Sequence, residues 1–367
     1  MLKKHWKRLM LGVLSAVLMV PGGAAAAKEW KGDEVNKAKA NAGLRLQCVA
    51  DQRTAVKGGK IGYHILYHNV KVDKKSGGWM MVKIPDGLEI DTIEDAEWDS
   101  NAQTLKWKID GKDDDADVVH FKLKVKEDAP NNATFTLACE GGLDSGVQAA
   151  TAPVTVVLGS ELHQPVFNGY PDGNFQPEKF LTRAETAAVI ARVSNLNGDG
   201  NAAVYSDVSV DHWASRYIQA VTAAGYMSGS NGQFHPEHPI TRGEFVTLML
   251  RVRGIDAIPM MSGFTDTDGH WANDAAATAA ALRFMEGSAG GRAQLDGAVE
   301  RQMAAKWLSM IYYRGALQDG ETQVIQHWPD VQRGHWSFGW VEELSMIAHE
   351  GVMQSPMEER LIRYVKD

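Results

Sequence analysis

The chain has 367 residues, of which 44% are apolar and 23% charged, and its formal net charge is −8. That length suits two or three domains, and that apolar share suits packed cores rather than long disorder. Four basic residues (Lys3, Lys4, Lys7 and Arg8) fall in the first 27 positions, which leaves 34 basic residues against 46 acidic ones in the remainder. Such a balance excludes the concentrated basic face that nucleic-acid binding needs. Two cysteines exclude a disulfide scaffold and a multi-cysteine zinc centre.

Residues 1–27 read as a secretory signal peptide. The cationic start precedes the apolar run Leu9–Val20, then Pro21-Gly22-Gly23 breaks the helix ahead of Ala24–Ala27. This run falls short of the ~20 residues that span a bilayer, and no later run approaches that length. The expected product is secreted, without membrane insertion after signal cleavage, and any attachment to the surface must be non-covalent.

From Leu44 the pattern turns to period two, the mark of strands with one buried face. Ile61, Tyr63, Ile65 and Tyr67 share a face, with His64 and His68 opposite. Leu105, Trp107 and Ile109 repeat the pattern, as do Val119, Phe121, Leu123 and Val125 against Lys122, Lys124 and Lys126. Turns are expected at Gly58-Gly59, Ser76-Gly77-Gly78, Pro85-Asp86-Gly87 and Pro130-Asn131-Asn132. Residues 28–160 are therefore expected to form an all-β, immunoglobulin-like sandwich. Gly59–Ile65, Ile84–Leu88 and the Trp107 strand resemble sandwich domains of bacterial surface proteins.

Inside that unit, His64 and His68 stand ~13 Å apart along a strand, too far to share one metal, so both are expected to face solvent. The acidic run Asp113–Asp117 reads as a solvated turn, with calcium binding as its alternative. Cys48 and Cys139 fall in step with the inward residues Leu44/Leu46 and Phe135/Leu137. They are read either as a disulfide or as two separately buried thiols.

The strongest signal is an internal repeat. Gly169-Tyr170-Pro171-Asp172-Gly173-Asn174-Phe175-Gln176-Pro177 leads into Thr182-Arg183-Ala184-Glu185. Residues 229–244 repeat it, ending in Thr241-Arg242-Gly243-Glu244, and a worn copy runs from Gly287 to Arg301. A second motif recurs as Asp207…His212-Trp213, Asp266…His270-Trp271 and Asp330…His335-Trp336.

These motifs resemble the surface-layer homology (SLH) module over about residues 165–355. The resemblance implies three repeats around a pseudo-threefold axis, with ligand grooves between neighbours. It also implies a partner: secondary cell-wall polysaccharide, often pyruvylated, or modified peptidoglycan. The order of parts is unusual, because no His-Trp helix precedes Gly169 while one follows the third arginine helix. The expectation is a permuted, all-α module over 161–367 whose first repeat is completed by a C-terminal helix at 335–350. An open ring of incomplete repeats is the alternative.

The local chemistry stands without the family. Thr182/Glu185 and Thr241/Glu244 form Thr-x-x-Glu capping boxes. Arg183 and Arg242 then sit in the first helical turn, where a cation opposes the helix dipole. A guanidinium fork there suits either a ligand carboxylate or a neighbouring acidic side chain. Tyr170, Asp172 and Gly173 make a tight turn whose amides suit an anion. Trp213, Trp271 and Trp336 are read as packing near the axis or as walls on which a sugar stacks, and all three join the ligand-binding set. Asn195–Gly200 is read as a flexible loop and not a calcium site, since Ser206 stands where a bidentate glutamate would. In the worn copy Glu300 and Met303 flank Arg301 where threonine and glutamate flank the others, so a weak or silent site is expected. No nucleophile–base pattern, cofactor motif or metal-ligand spacing emerges. The reading is a secreted cell-wall protein, non-enzymatic, displaying its sandwich on an SLH anchor. Its alternatives are a self-associating S-layer-type subunit and a wall-modifying enzyme.

Overall fold

The computed structural model describes residues 43–70, 77–110, 115–198, 204–345 and 347–365. The signal-like segment 1–27, Asp113 and Asp114 of the acidic run, and Asp199 and Gly200 of the loop after Asn195 lie outside the described residues.

Twelve strands build the N-terminal unit: β1 (Gly43–Ala50), β2 (Thr54–Ala55), β3 (Lys60–Val70), β4 (Gly78–Lys83), β5 (Leu88–Ile93), β6 (Glu97–Asp99), β7 (Thr104–Ile109), β8 (Ala116–Val125), β9 (Thr134–Leu137), β10 (Cys139–Leu143), β11 (Gln148–Ala150) and β12 (Val154–Leu158). They form an antiparallel sheet β1-β3-β8-β5, a second antiparallel sheet β11-β10-β4-β7-β6, and a small sheet β2-β12-β9. The alternating residues read from sequence meet in one core that includes Ile61, Tyr63, Ile65, Met80, Trp107, Phe121, Leu123 and Phe135. Tyr63 stacks on Phe121 at 5.3 Å, and the buried Trp107 indole donates to the Glu94 carbonyl at 2.8 Å. That bond removes the penalty of an unpaired polar atom in the core.

The C-terminal unit is not all-α, which corrects the fold class expected from sequence. A fourth sheet, β13-β15-β16-β14, is built from β13 (Glu161–His163), β14 (Ala316–Gln318), β15 (His349–Ser355) and β16 (Glu358–Tyr364). With it the described chain has four sheets and six short helices: α1 (Arg183–Val193), α2 (Ser215–Ala223), α3 (Arg242–Arg253), α4 (Asn273–Ala281), α5 (Arg301–Ile311) and α6 (Phe338–Leu344). The helix expected over 335–350 stops at Leu344, because Ser345 turns extended at φ −118°, ψ 157°. Beyond it the residues alternate inward and outward through His349, Gly351 and Met353, a period that suits a strand and no helix. Met357, at φ 71°, makes the turn into β16.

The helices enclose a separate apolar core that includes Phe175, Leu181, Phe234, Ile240, Phe245, Val299, Trp307 and Trp328. Three backbone bonds close a triangle at its centre. Leu181 donates to Val299, Val299 to Ile240, and Ile240 to Leu181, at 2.9, 3.1 and 2.9 Å. Each donor immediately precedes the N-cap of an arginine helix, so the triangle marks a pseudo-threefold axis.

The two units pack together. Gln47 and Asp256 exchange hydrogen bonds, and Arg253 donates to the Ala50 carbonyl at 3.0 Å. Leu66 and Val118 of the first sheet join the helical core. Strand β3 is consequently buried on both faces, and His64 is 3% exposed rather than solvent-facing. Its ring lies 2.7 Å from both Asp51 Oδ1 and His120 Nδ1. Alternation marked one face as outward, but docking of the second unit covers it.

Candidate ligand site between the repeats

The capping boxes form as the spacing dictates. Thr182 Oγ1 accepts from the Glu185 amide while Glu185 accepts from the Thr182 amide, and Thr241 and Glu244 repeat the exchange. In the worn copy Glu300 occupies the N-cap and makes no side-chain cap bond.

The three arginines share one geometry. Each sends its guanidinium across an inter-repeat boundary onto backbone carbonyls of a neighbouring turn. Arg183 donates to Phe234 O at 2.9 Å and Ser228 O at 2.7 Å. Arg242 donates to Ala293 O at 2.7 Å and Glu286 O at 3.1 Å. Arg301 donates to Phe175 O at 2.8 Å and Asn168 O at 2.9 Å. The Gly169–Phe175 turn therefore meets Arg301, not the Arg183 that follows it in sequence. Tyr170 lies beneath the Arg301 guanidinium at 4.7 Å and donates to Glu185 Oε1 at 2.7 Å. Asp172 stays within its own turn, accepting from the Asn174 amide and the Gln176 side chain, and Gly173 supplies the φ of 80° that the turn requires.

Where the arginines differ is in carboxylates. Arg183 pairs with Glu244 Oε1 at 2.5 Å, so the acidic-partner alternative holds at that position. At the matching place on α5 stands Met303, and among the described residues Arg242 forms no carboxylate pair. Its guanidinium lies instead over the Trp307 ring at 4.9 Å. Burial lowers the pKa of Arg301, with Tyr170 and Glu185 opposing that shift.

Three aspartates tie the turns from the other side. Asp207 accepts from the Phe234 and His235 amides at 2.8 and 2.7 Å, and Asp266 from those of Ala293 and Gln294 at 2.7 and 3.0 Å. Asp330 accepts from the Phe175 and Gln176 amides at 2.9 and 2.7 Å, 155 and 154 residues away. Burial raises the Asp207 carboxyl, but those two amides, with its own amide and the His235 ring, together hold the group below the usual carboxylate range. Two residues before each aspartate an aromatic ring (Tyr205, Phe264 or Trp328) closes on a turn glycine (Gly229, Gly287 or Gly169) that has no room for a Cβ. This aromatic-x-Asp signal is present in the sequence and escaped the reading of it.

His212, His270 and His335 accept from backbone amides two residues on, at 3.1, 3.1 and 3.3 Å, and start their helices. Trp213, Trp271 and Trp336 are 53%, 38% and 50% exposed. They stand at the surface and not against the axis. One of them, Trp271, lines a cleft with Arg183, Ser228, Glu244 and Arg251. Cys48 and Cys139 are free thiols. Burial pushes Cys139 up to about 12 and Cys48 higher, the latter reinforced by Cys139.

No helix among the described residues is long and apolar enough to cross a membrane. Residues 164–187 and 204–246 match the S-layer homology domain family. The chain is 28% identical to cell surface glycoprotein 1 of Acetivibrio thermocellus over 57% of its own length and 9% of that protein. It is 27% identical to the cellulosome-anchoring protein of the same organism over 50% of its length and 43% of that protein. An S-layer protein of Bacillus licheniformis is 29% identical over 48% and 22%. The chain thus spans less than half the length of each of these relatives. Among solved structures, the major pilin subunit of Bacillus cereus overlaps 32% of this chain and 41% of its own at 13% identity and a TM-score of 0.26, too slight a likeness to bear on the assignment. The chain carries an S-layer homology domain and is a protein of the cell wall or cell surface.

Proposed function

We propose that residues 161–367 hold the protein non-covalently on an anionic wall polysaccharide, through clefts between the repeats, and that the β-sandwich unit of residues 28–160 is the displayed part. The C-terminal segment completes the first repeat in this reading, with Asp330 binding the turn that Asp207 and Asp266 bind elsewhere. The protein acts as an anchor and not as an enzyme.

The observation that carries the reading is the cleft in which Arg183, Glu244 and Arg251 lie beside the exposed Trp271 ring. An indole face suits a sugar ring, and guanidinium groups suit an acidic substituent on it. The committed donors of Arg183 make it a poor first contact. Arg242 has Met303 where Arg183 has Glu244, so only the more distant charges of Asp266 and Glu300 compete with a ligand for its guanidinium. Among the three arginines, Arg242 is therefore the favoured contact for the anion.

The test is sedimentation and calorimetric titration of Arg242→Gln against purified walls and extracted polymer. Loss of one charge-assisted contact is worth about 1.5–3 kcal/mol, a weakening of roughly ten- to 150-fold. Because Arg242 also holds Ala293 O and Glu286 O, its thermal transition should fall as well, so binding is compared at a temperature where circular dichroism shows the variant folded. Unchanged binding by this variant refutes the assignment. Solution sizing of the same protein separates a simple anchor from a self-assembling lattice subunit.

A further inference from the structure

Four buried side chains from four different elements converge far from the arginine boundaries. His163 comes from β13, the strand that joins the two units, and Glu343 from α6; His349 and Glu359 come from β15 and β16. Their exposures are 2%, 0%, 1% and 0%. One donor atom from each lies within 4.8 Å of all the others. We propose that His163, Glu343, His349 and Glu359 form a four-coordinate site for a divalent transition metal, of which Zn²⁺ fits best, locking the C-terminal hairpin and α6 to the linker strand.

The hydrogen-bond inventory of the cluster leaves atoms over. His163 Nδ1 lies 2.7 Å from Glu343 Oε1 and 3.2 Å from Glu359 Oε1, yet one ring nitrogen carries at most one proton to share. Glu359 Oε1 and His163 Nε2 are buried without a hydrogen-bond partner. On the far side of the cluster His349 Nε2 lies 2.8 Å from Glu343 Oε2. An orphaned carboxylate oxygen in a buried interior is costly, and a cation at the centre of the cluster satisfies it.

The surroundings are those of a built site. The other oxygen of Glu359 accepts from the Gly315 amide at 3.0 Å, which fixes the carboxylate plane. His349 Nδ1 points to the Ile347 carbonyl at 3.3 Å, which turns Nε2 toward the cluster, the arrangement that orients metal-ligating histidines. Gly351 makes the space, because a Cβ there would collide with Glu359 Oε1. Two imidazole nitrogens with two carboxylate oxygens match Zn²⁺ better than Ca²⁺ or Mg²⁺, which take oxygen, and the absence of sulfur disfavours Cu(I) and iron–sulfur clusters. Tetrahedral zinc with bonds near 2.0–2.1 Å sets its donors about 3.3 Å apart. The contacts of 2.7–3.2 Å open to that spacing by about half an ångström or less, and donor pairs as far apart as 4.8 Å close to it by side-chain rotation. Four protein donors leave no open position, so the role is structural. Arg314, with Nη1 3.6 Å from Glu343 Oε1, opposes the ion, and Glu161, with Oε2 3.7 Å from His163 Nε2, favours it.

The competing arrangement is a metal-free network in which protonated histidines satisfy the carboxylates. Untagged full-length protein, stripped with chelator and re-equilibrated with Zn²⁺, separates the two. The expected result is one equivalent of zinc retained through gel filtration, a transition temperature several degrees higher with zinc than with chelator, and a tetrahedral visible spectrum when Co²⁺ replaces zinc. Glu359→Gln, nearly isosteric, and His349→Gln should each lose the retained metal and the thermal shift. Should either variant fail to fold, the Co²⁺ spectrum of the parent chain decides. A thermal transition indifferent to zinc and chelator overturns the proposal in favour of the ion network. Equal zinc retention by the folded variants overturns it by placing the metal elsewhere.

Discussion

Replacing Asp330 by alanine tests whether the chain's end closes the ring of repeats. The carboxylate holds two amides, Phe175 N–H at 2.9 Å and Gln176 N–H at 2.7 Å, on a turn more than 150 residues earlier. Hydrogen bonds to a charged acceptor are worth about 1.5–3 kcal/mol each. Asp330 and Gln176 are half-buried, so water recovers part of the loss, and the net cost should be roughly 2–4 kcal/mol. Gln176 adds to the effect, since its φ of 56° is a left-handed conformation that the aspartate helps to impose. For a unit of about 200 residues, that cost lowers the transition temperature by roughly 4–16 °C. The assay is thermal and urea unfolding followed by far-UV circular dichroism, with two internal standards. Asp207→Ala and Asp266→Ala remove the same pair of bonds from the other two turns, where His235 and Gln294 carry the same φ, 58° and 53°. Closure requires the three variants to fall together. If Asp330→Ala melts like the parent chain while Asp207→Ala does not, the ring is open in solution and the reasoning fails.

Arg301→Ala should destabilise the C-terminal unit about as much as Arg183→Ala, by roughly 2–4 kcal/mol, because each strands two inter-repeat carbonyls; a neutral Arg301→Ala in urea unfolding would remove the staple role. His120 supplies a pH test. Burial, then the neighbouring His64 and Arg283 charges, push its pKa down from 6.5 to about 4, with Asp51 opposing. The unfolded chain thus binds more protons between about pH 4 and 6.5, so this stabilisation is complete above 6.5 and lost as pH falls toward 4. Relative to the parent, His120→Gln should lose less stability on acidification over that window, and identical pH profiles of the transition temperature would count against the assignment.

What the sequence made legible follows from how local each feature is. A capping box needs four consecutive residues, and both of those expected form. The sandwich core needs only alternation, and Tyr63, Trp107 and Phe121 meet as that pattern requires. His64 was illegible because what covers it, the second unit, approaches from far along the chain. The hairpin of β15 and β16 was hidden for a different reason. Residues 345–348 lead from the Phe338–Leu344 helix into it, with Ser345 extended and no proline or glycine to announce the change. The buried His-Glu cluster lies beyond sequence reading altogether, since His163 lies 180 or more positions from its three partners and the four share no motif.

The worn third copy shows which features of a repeat the fold cannot spare. It has lost the capping threonine to Glu300, the capping glutamate to Met303, the turn phenylalanine to Ala293 and the turn proline to Leu295. It has kept the arginine, and the aromatic-x-Asp segment that precedes it survives as Phe264-Thr265-Asp266. A cap is worth about 1 kcal/mol and acts within one helix, so its loss is absorbed locally. Arg301 instead joins one repeat to the next, and Asp266 fastens the turn of its own repeat. Arg301 reaches Phe175 and Asn168, and Asp266 holds the Ala293 turn onto which Arg242 docks. Removing either loosens a boundary between repeats, and both neighbours of that boundary then lose packing. A cation in the first turn of a helix, unfavourable toward the dipole, is retained three times because its charge is used one repeat away. Arginine suits that position better than lysine, since a planar fork with several fixed donors reaches two carbonyls at once where an ammonium is a point charge.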